Sequence, residues 1–142
     1  TEQLSRVLVE KHQCLSLRVK RIREEHGFGF INAITMVASV PELGTLNRNQ
    51  IGALTGTAPF IRKSGKYTGE AKIQGGRTAS RRALYTAAIT VIRKKEHPLH
   101  HFYKRLVNKQ KPKKEALTAV MRKLAIRINS ILKDLALDPM TC

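Results

Sequence analysis

Apolar residues recur at helical spacing along most of the chain. Residues 2–25 place them at steps of three, four and seven, which predicts one helical stripe. That stripe consists of Leu4, Leu8, Leu15, Val19 and Ile22. Residues 28–40 predict a short buried helix, which ends at Pro41 because proline cannot donate into the helical ladder. The apolar positions expected on its buried face are Phe30, Ile31, Ile34, Val37 and Ala38.

A tight turn and a second short helix follow. Pro41-Glu42-Leu43-Gly44 has the composition of a turn, and Asn47 can cap a helix that contains Ile51 and Leu54. Gly56 is well placed to end that helix. Helix, glycine turn and short helix form a helix-hairpin-helix-like outline, a motif that binds phosphates without sequence specificity, although most such pairs serve only packing.

The middle of the chain, residues 57–76, lacks helical periodicity. Pro59 stands near its start, four glycines follow, and its apolar pieces are only two or three residues long. This composition predicts either an irregular loop or a short two-stranded β-ribbon. A segment of this length without regular structure in a small domain is usually functional or disordered, and its Arg, Lys, Ser and Gly content favours function.

Helical patterns return in the second half. Residues 77–96 predict a long helix, and His97-Pro98 ends it and begins another, since proline fits the first helical position. A basic connector at 109–114 precedes the last helix, which has an apolar seam at heptad-like spacing. The seam is read as a core face, with dimerisation as the alternative. It consists of Leu117, Met121, Leu124, Ile128, Ile131 and Leu135. The predicted fold is therefore mainly α.

The charge is large and unevenly distributed. The formal net charge is +17, and residues 62–127 hold 19 Lys and Arg against three Asp and Glu. A charge of this size and sign indicates a polyanionic partner. Nucleic acid is favoured over a membrane surface, because the basic half has few aromatic anchors and no Trp.

The cysteines and the apolar stretches of the chain bear on its location in the cell. Cys14 and Cys142 lie near opposite ends without CxxC spacing, so neither a zinc site nor a disulfide framework is expected. The longest apolar stretch, at 28–40, is too short to span a bilayer. We therefore expect a cytoplasmic protein that is not bound to a membrane.

The candidate site lies between residues 62 and 82. It holds one hydroxyl between cations, with glycines that allow a backbone to approach a phosphate. Ser64 could attack a phosphodiester or only hydrogen-bond to it, and composition alone favours the second reading. The residues expected to contact DNA are Arg62, Lys63, Gly65, Lys66, Lys72, Arg77, Arg81 and Arg82.

The basic half of the chain has few residues that could bind a metal ion, and its histidines have no partners at ligand spacing. A two-metal nuclease needs several convergent carboxylates, and only Glu70, Glu96 and Glu115 are available. His97, His100 and His101 have no carboxylate or cysteine at ligand spacing, so a solvated helix start is expected there.

Several short motifs, in unbroken order over residues 27–134, resemble the C-terminal domain of insertion-sequence transposases that pair a DEDD nuclease-like domain with a serine domain. The pilin-gene invertase and the bridge-RNA-guided recombinases belong to this group. The motifs are Val40-Pro41-Glu42-Leu43-Gly44, Thr55-Gly56-Thr57-Ala58-Pro59-Phe60, Ser64-Gly65-Lys66, Gly75-Gly76-Arg77, Arg82-Ala83-Leu84-Tyr85, Lys111-Pro112-Lys113-Lys114 and Met121-Arg122-Lys123-Leu124.

The resemblance implies a function in transposition of an insertion sequence. Ser64 would be the nucleophile that links covalently to DNA during recombination, and the cations around it would hold DNA. In guided members they would also hold a guide RNA. A homo-oligomer is expected in an active complex. The rival hypothesis is a nucleic-acid-binding module without catalysis.

The resemblance also implies a domain division and a missing part. Residues 1–25 would be a helical arm left from the inter-domain region, residues 26–138 the serine domain and residues 139–142 a tail. The acidic domain that binds Mg²⁺ in the family has no counterpart, so no cofactor is expected in this chain and activity alone is not expected. His26-Gly27-Phe28-Gly29 stands where the family usually has Pro-Gly-x-Gly.

Overall fold

The computed structural model describes residues 2–60, 63–64, 67–68, 72–73 and 76–136. Most of this part of the chain is helical, which confirms the mainly α prediction. The helices are α1 (Glu2–Lys11), α2 (Gln13–Arg23), α3 (Phe30–Ser39), α4 (Arg48–Thr55), α5 (Thr78–Arg93), α6 (Pro98–Asn108) and α7 (Lys113–Ala136).

Short strands form between α4 and α5. They are β1 (Pro59–Phe60), β2 (Lys63–Ser64), β3 (Tyr67–Thr68) and β4 (Lys72–Ile73). β1 pairs antiparallel with β4, and inside that pair β2 pairs antiparallel with β3. Nested pairs of this kind make a two-stranded ribbon, which is the second of the two expectations for residues 57–76. We refer to the strands β1 to β4 together as the ribbon.

The core forms around α5 and α7, which pack against each other. α3 covers α5, α4 and α2 cover α7, and α6 contacts both central helices. Met121, Leu124 and Ile128 of the predicted α7 seam are buried in this core. The seam is therefore covered largely within the chain, as the core interpretation expected. On α5, the buried face consists of Ala83, Leu84, Ala87, Ala88 and Val91.

The first helical stripe is divided into two helices. His12 has an extended backbone, with φ −113° and ψ 95°, and separates α1 from α2. Val19 and Ile22 of α2 are buried in the core, whereas Leu4 and Leu8 of α1 are 60% and 50% exposed. The prediction of one continuous stripe is therefore wrong, because a break in the helix changes the direction in which the following residues face.

The buried face of α3 also differs from the prediction. Ala33, Met36 and Val37 are buried, whereas Ile31 and Ala38 are exposed. Seven of the ten residues of this helix are apolar, so apolar side chains lie on more than one of its sides and periodicity alone does not decide which side is buried. The packing of α3 on α5 and α2 decides which side is covered.

The predicted helix boundaries between α3 and α6 are largely confirmed. The Asn47 side chain accepts hydrogen bonds from two backbone N–H groups of α4 and forms a capping box with Gln50. Gly56 ends α4 in the left-handed region at φ 67°. Pro98 begins α6, and the His97 ring caps it by accepting from Leu99 N at 3.1 Å.

The expectation about the cysteines involves Cys142, which lies outside the described residues. Within the described residues, the structure contains no helix with the length and apolar character needed to cross a membrane.

Candidate nucleic-acid interface

Both ends of the ribbon are attached to the C-terminal end of α4. Before β1, Thr57 N and Ala58 N both donate to Gly52 O, at 2.9 and 3.1 Å. After β4, Arg77 N donates to Leu54 O at 2.8 Å. The chain therefore leaves α4 and returns to it at nearly the same place, and we call this place the ribbon base.

A close backbone contact fixes the ribbon base. Gly76 has φ +80°, and a Cβ built on it would lie 2.2 Å from Gly56 N and 2.4 Å from Gly56 Cα. No side chain fits in this space, so glycine is required both for the backbone conformation and for the contact. This contact therefore explains why the second position of the Gly75-Gly76-Arg77 motif is a glycine.

Arg77 holds the ribbon base to the turn between α3 and α4. Its Nη1 and Nη2 donate to the two carboxylate oxygens of Glu42, each at 2.7 Å. Nη1 also donates to Ser39 O at 2.8 Å. Both side chains are partly exposed, and the paired hydrogen bonds fix their geometry.

This pair also changes the ionisation of its members. The hydrogen bond from Arg77, together with a backbone hydrogen bond, lowers the pKa of Glu42 from 4.5 to about 2. The hydrogen bond to Glu42 raises the pKa of Arg77 above its usual value. The pair is therefore fully charged over the whole physiological pH range.

The turn that carries Glu42 is itself held from α7. Asn129 is buried, and its Oδ1 accepts from Gly44 N at 2.8 Å while its Nδ2 donates to Leu46 O at 2.8 Å. From α2, Arg18 donates to Leu43 O at 2.8 Å. The position of Glu42, and through it that of Arg77, therefore depends on contacts from two core helices.

Buried hydroxyl groups lie beneath the ribbon base. Thr55 and Thr57 are buried and their hydroxyl oxygens are 3.0 Å apart, while Thr55 Oγ1 also donates to Ile51 O at 2.6 Å. Ser80 is buried as well and donates to Arg77 O at 2.8 Å. Each hydroxyl therefore has a partner, and the cluster stabilises the base rather than offering a reactive group.

The predicted site residues fall into three groups. Arg77, Arg81 and Arg82 follow the ribbon at the start of α5, where Arg81 is half-buried and Arg82 is exposed. Three others are placed by their backbone in strands of the ribbon, namely Lys63, Ser64 and Lys72. Arg62, Gly65 and Lys66 lie outside the described residues. Ser64 pairs with Tyr67 across β2 and β3.

Three residues at or near the ribbon base were not selected from the sequence as site residues. Glu42 and Asn129 hold the turn, and Arg122 of α7 lies beside the base, with its Nε 3.6 Å from a Cβ built on Gly52. Arg122 is half-buried and makes no ion pair within the described part of the chain. Glu42 and Arg122 belong to two of the motifs on which the family resemblance rests. Those motifs are the sequence signal that could have identified them as site residues.

A comparison with known protein families gives a match over this region of the chain. The sequence profile of the Transposase IS116/IS110/IS902 family matches residues 19–104, which include the ribbon, its base and the Glu42 turn. The chain belongs to this transposase family. A search of curated proteins gave no match. The matched region begins within α2 and ends within α6, so it covers well over half of the chain.

Family membership raises the question of a metal site in this chain. Over the described residues, no three His, Cys, Asp or Glu side chains come together in a way that could hold a metal ion.

Proposed function

We propose that this chain is the DNA-binding, serine-bearing part of an IS116/IS110/IS902 family transposase, with Ser64 as the nucleophile for strand exchange. The observation that carries the proposal is the ribbon base. The Ser64-containing ribbon is attached at both ends to α4 and held by the Arg77–Glu42 pair. A nucleophile needs a defined position relative to the phosphate, and an anchored base is consistent with that requirement.

The proposed reaction is a transesterification. The Ser64 oxygen forms a bond to phosphorus, the bond from phosphorus to one deoxyribose oxygen breaks, and that oxygen leaves as a hydroxyl. The negative charge on the phosphate oxygens needs neutralisation, for which Arg81 and Arg82 at the start of α5 are suited. Cations at a helix N-terminus oppose the helix dipole, and a bound phosphate would relieve that conflict.

Arg77 has a different part in this proposal. Its guanidinium already makes three hydrogen bonds to Glu42 and Ser39. We assign it to positioning the ribbon base, and we assign the phosphate contacts to the other cations named from the sequence. In this proposal the acidic Mg²⁺-binding domain that the family resemblance implies acts together with the serine, in an assembly that contains more than one subunit.

The test uses a DNA suicide substrate, in which the leaving strand diffuses away and traps a covalent adduct. The chain is assayed alone and mixed with a full-length relative whose own serine has been replaced. We expect an adduct on this chain in the mixture, absent in Ser64→Ala and retained in Ser130→Ala, an exposed serine on α7. Salt-sensitive DNA binding without an adduct in any mixture would contradict catalysis and leave a non-catalytic nucleic-acid-binding module.

A further inference from the structure

A second basic surface lies apart from the ribbon. It comprises α6, the connector at 109–112 and the first part of α7 to Lys123, and we call it the basic hairpin. Residues 97–126 contain eight Lys or Arg and only one acid, Glu115. The exposed cations of the basic hairpin are Lys104, Arg105, Lys109, Lys111, Lys113, Lys114 and Lys123.

These cations are not neutralised within the described part of the chain. The ion pairs found there involve Arg6, Arg21, Arg77 and Arg127, all of which lie outside the basic hairpin. Seven exposed cations beside a single exposed carboxylate repel one another, and such an arrangement is mildly destabilising unless an anion binds. The basic hairpin is therefore suited to a polyanionic partner.

The basic hairpin reaches the ribbon base at its α7 end. Its last cation, Lys123, follows Arg122, which lies beside the ribbon base. Lys113, at the start of α7, is nine positions before Arg122, which corresponds to roughly 14 Å along the helix axis at a rise of about 1.5 Å per residue. The first turns of α7 therefore carry their cations away from the ribbon base.

An aromatic ring orders two of these cations. The Arg105 guanidinium carbon lies 5.5 Å from the centre of the Phe102 ring, and Lys123 Nζ lies 4.6 Å from it. The contacts connect α6 to α7 and hold both charges in place. Because both cations lie over the Phe102 ring, they compete with any base for stacking on it.

The chemistry of the surface favours duplex DNA over the other polyanions. Single-stranded nucleic acid is usually bound with stacking on exposed aromatic rings, and membrane surfaces with apolar anchors. The apolar residues of α6, including Leu99, Tyr103 and Leu106, are half-buried on its inner side. What remains outside is a set of lysine and arginine charges, which suits contact with phosphates independent of sequence.

We propose that the basic hairpin is a second docking surface, which binds the backbone of duplex DNA next to the ribbon. A duplex has one phosphate charge per about 1.7 Å of its axis, and α6, with 11 residues, is about 16 Å long. Several phosphates can therefore lie along the hairpin at once. The proposal goes beyond the catalytic one and does not depend on Ser64.

The experiment measures the salt dependence of binding to a short DNA duplex. In the test variant, Lys104, Lys109, Lys111 and Lys113 are changed to Gln. In the matched control, four exposed cations elsewhere, Lys20, Arg48, Lys94 and Lys133, are changed to Gln. Both variants lose the same net charge, and circular dichroism and thermal unfolding verify that both remain folded.

Each lost phosphate contact lowers the slope of log K against log salt concentration by about 0.9. We expect the slope to fall by about 2 to 4 in the test variant and by less than about 1 in the control. Equal losses in the two variants would overturn the proposal. So would a test variant that keeps duplex binding but loses binding to single-stranded RNA or to anionic vesicles. The salt series measures equilibrium binding and does not depend on adduct formation, which separates this result from the test of catalysis.

Discussion

Arg77 and Glu42 meet through two hydrogen bonds of 2.7 Å across the ribbon base. One residue follows the ribbon in sequence, and the other lies in the turn before α4. Asn129 of α7 holds this turn in place through two hydrogen bonds. This chain of contacts connects the packed core to the segment that carries Ser64. We expect changes along it to reduce the formation of a DNA adduct more than they reduce DNA binding.

The first prediction concerns Glu42→Gln and pH. Because the pKa of Glu42 is lowered from 4.5 to about 2, the ionised pair stabilises the folded chain fully above about pH 4.5. That stabilisation is lost as the pH falls toward 2, since the unfolded chain takes up the proton first. Denaturant titrations of wild type and Glu42→Gln should therefore differ above about pH 5 and converge as the pH falls toward 2.

A variant of the partner provides the control for this prediction. In an Arg77→Gln background, the carboxylate of Glu42 has lost the donor that lowers its pKa most. Glu42→Gln should then change stability little, and the difference should hardly vary with pH. A difference between wild type and Glu42→Gln that stayed constant from pH 7 to pH 2 would show that the pair does not form.

The second prediction concerns Gly76→Ala. The new Cβ would lie 2.2 Å from Gly56 N in a backbone with φ +80°. We expect a loss of at least about 2 kcal/mol in the free energy of unfolding, from the left-handed conformation together with the forced backbone shift. Gly29→Ala is the control, because a Cβ there meets nothing within 4 Å, and it should change stability by no more than about 0.5 kcal/mol.

Thermal unfolding in parallel with the adduct assay completes this test. Gly76→Ala should unfold at a lower temperature and form less adduct at temperatures where it is still folded. A Gly76→Ala protein as stable as Gly29→Ala would mean that the ribbon base is not packed as described.

The third prediction concerns Asn129, which is buried and uses both ends of its amide. Asn129→Leu leaves Gly44 N and Leu46 O without these partners, and we expect a cost of about 2 to 4 kcal/mol. Asn129→Asp can still accept from Gly44 N but cannot donate to Leu46 O when ionised. Urea unfolding measures this cost. An Asn129→Leu protein as stable as wild type would contradict the assignment of these two hydrogen bonds.

The fourth prediction concerns the core face of α7. Leu124 is 1% exposed and belongs to the hydrophobic core. Leu124→Asp buries an unpaired charge, which should unfold the chain. Leu8→Asp makes the same chemical change at a side chain that is 50% exposed, and it should remain folded. A soluble, fully helical Leu124→Asp protein in circular dichroism would contradict the core as described.

Local sequence signals were sufficient for most of the helices. Caps, proline positions and apolar periodicity correctly predicted α4 to α7, because each of these signals acts within a few residues. The α7 seam was clear because polar residues separate its apolar positions. In α3 apolar residues lie on more than one side of the helix, and for that reason Ile31 was wrongly assigned to its buried face. The break at His12 also had no local signal, since both flanking segments favour helix.

The candidate site was predictable only in part. The position of the ribbon and its basic flanks followed from glycine, proline and charge along the sequence. The contact of Gly76 with Gly56 and the pairing of Arg77 with Glu42 could not be inferred, because they join residues 20 and 35 positions apart through tertiary packing.

The most direct test of the central claim is to map the covalent DNA adduct on this chain. After reaction with the suicide substrate beside a full-length relative that lacks its own serine, the protein is digested and the nucleotide-bearing peptide is identified by mass spectrometry. We predict that the nucleotide is attached at Ser64 through a phosphodiester. Attachment at any other residue, or no adduct while the relative's unmodified form reacts with the same substrate, would contradict the proposal.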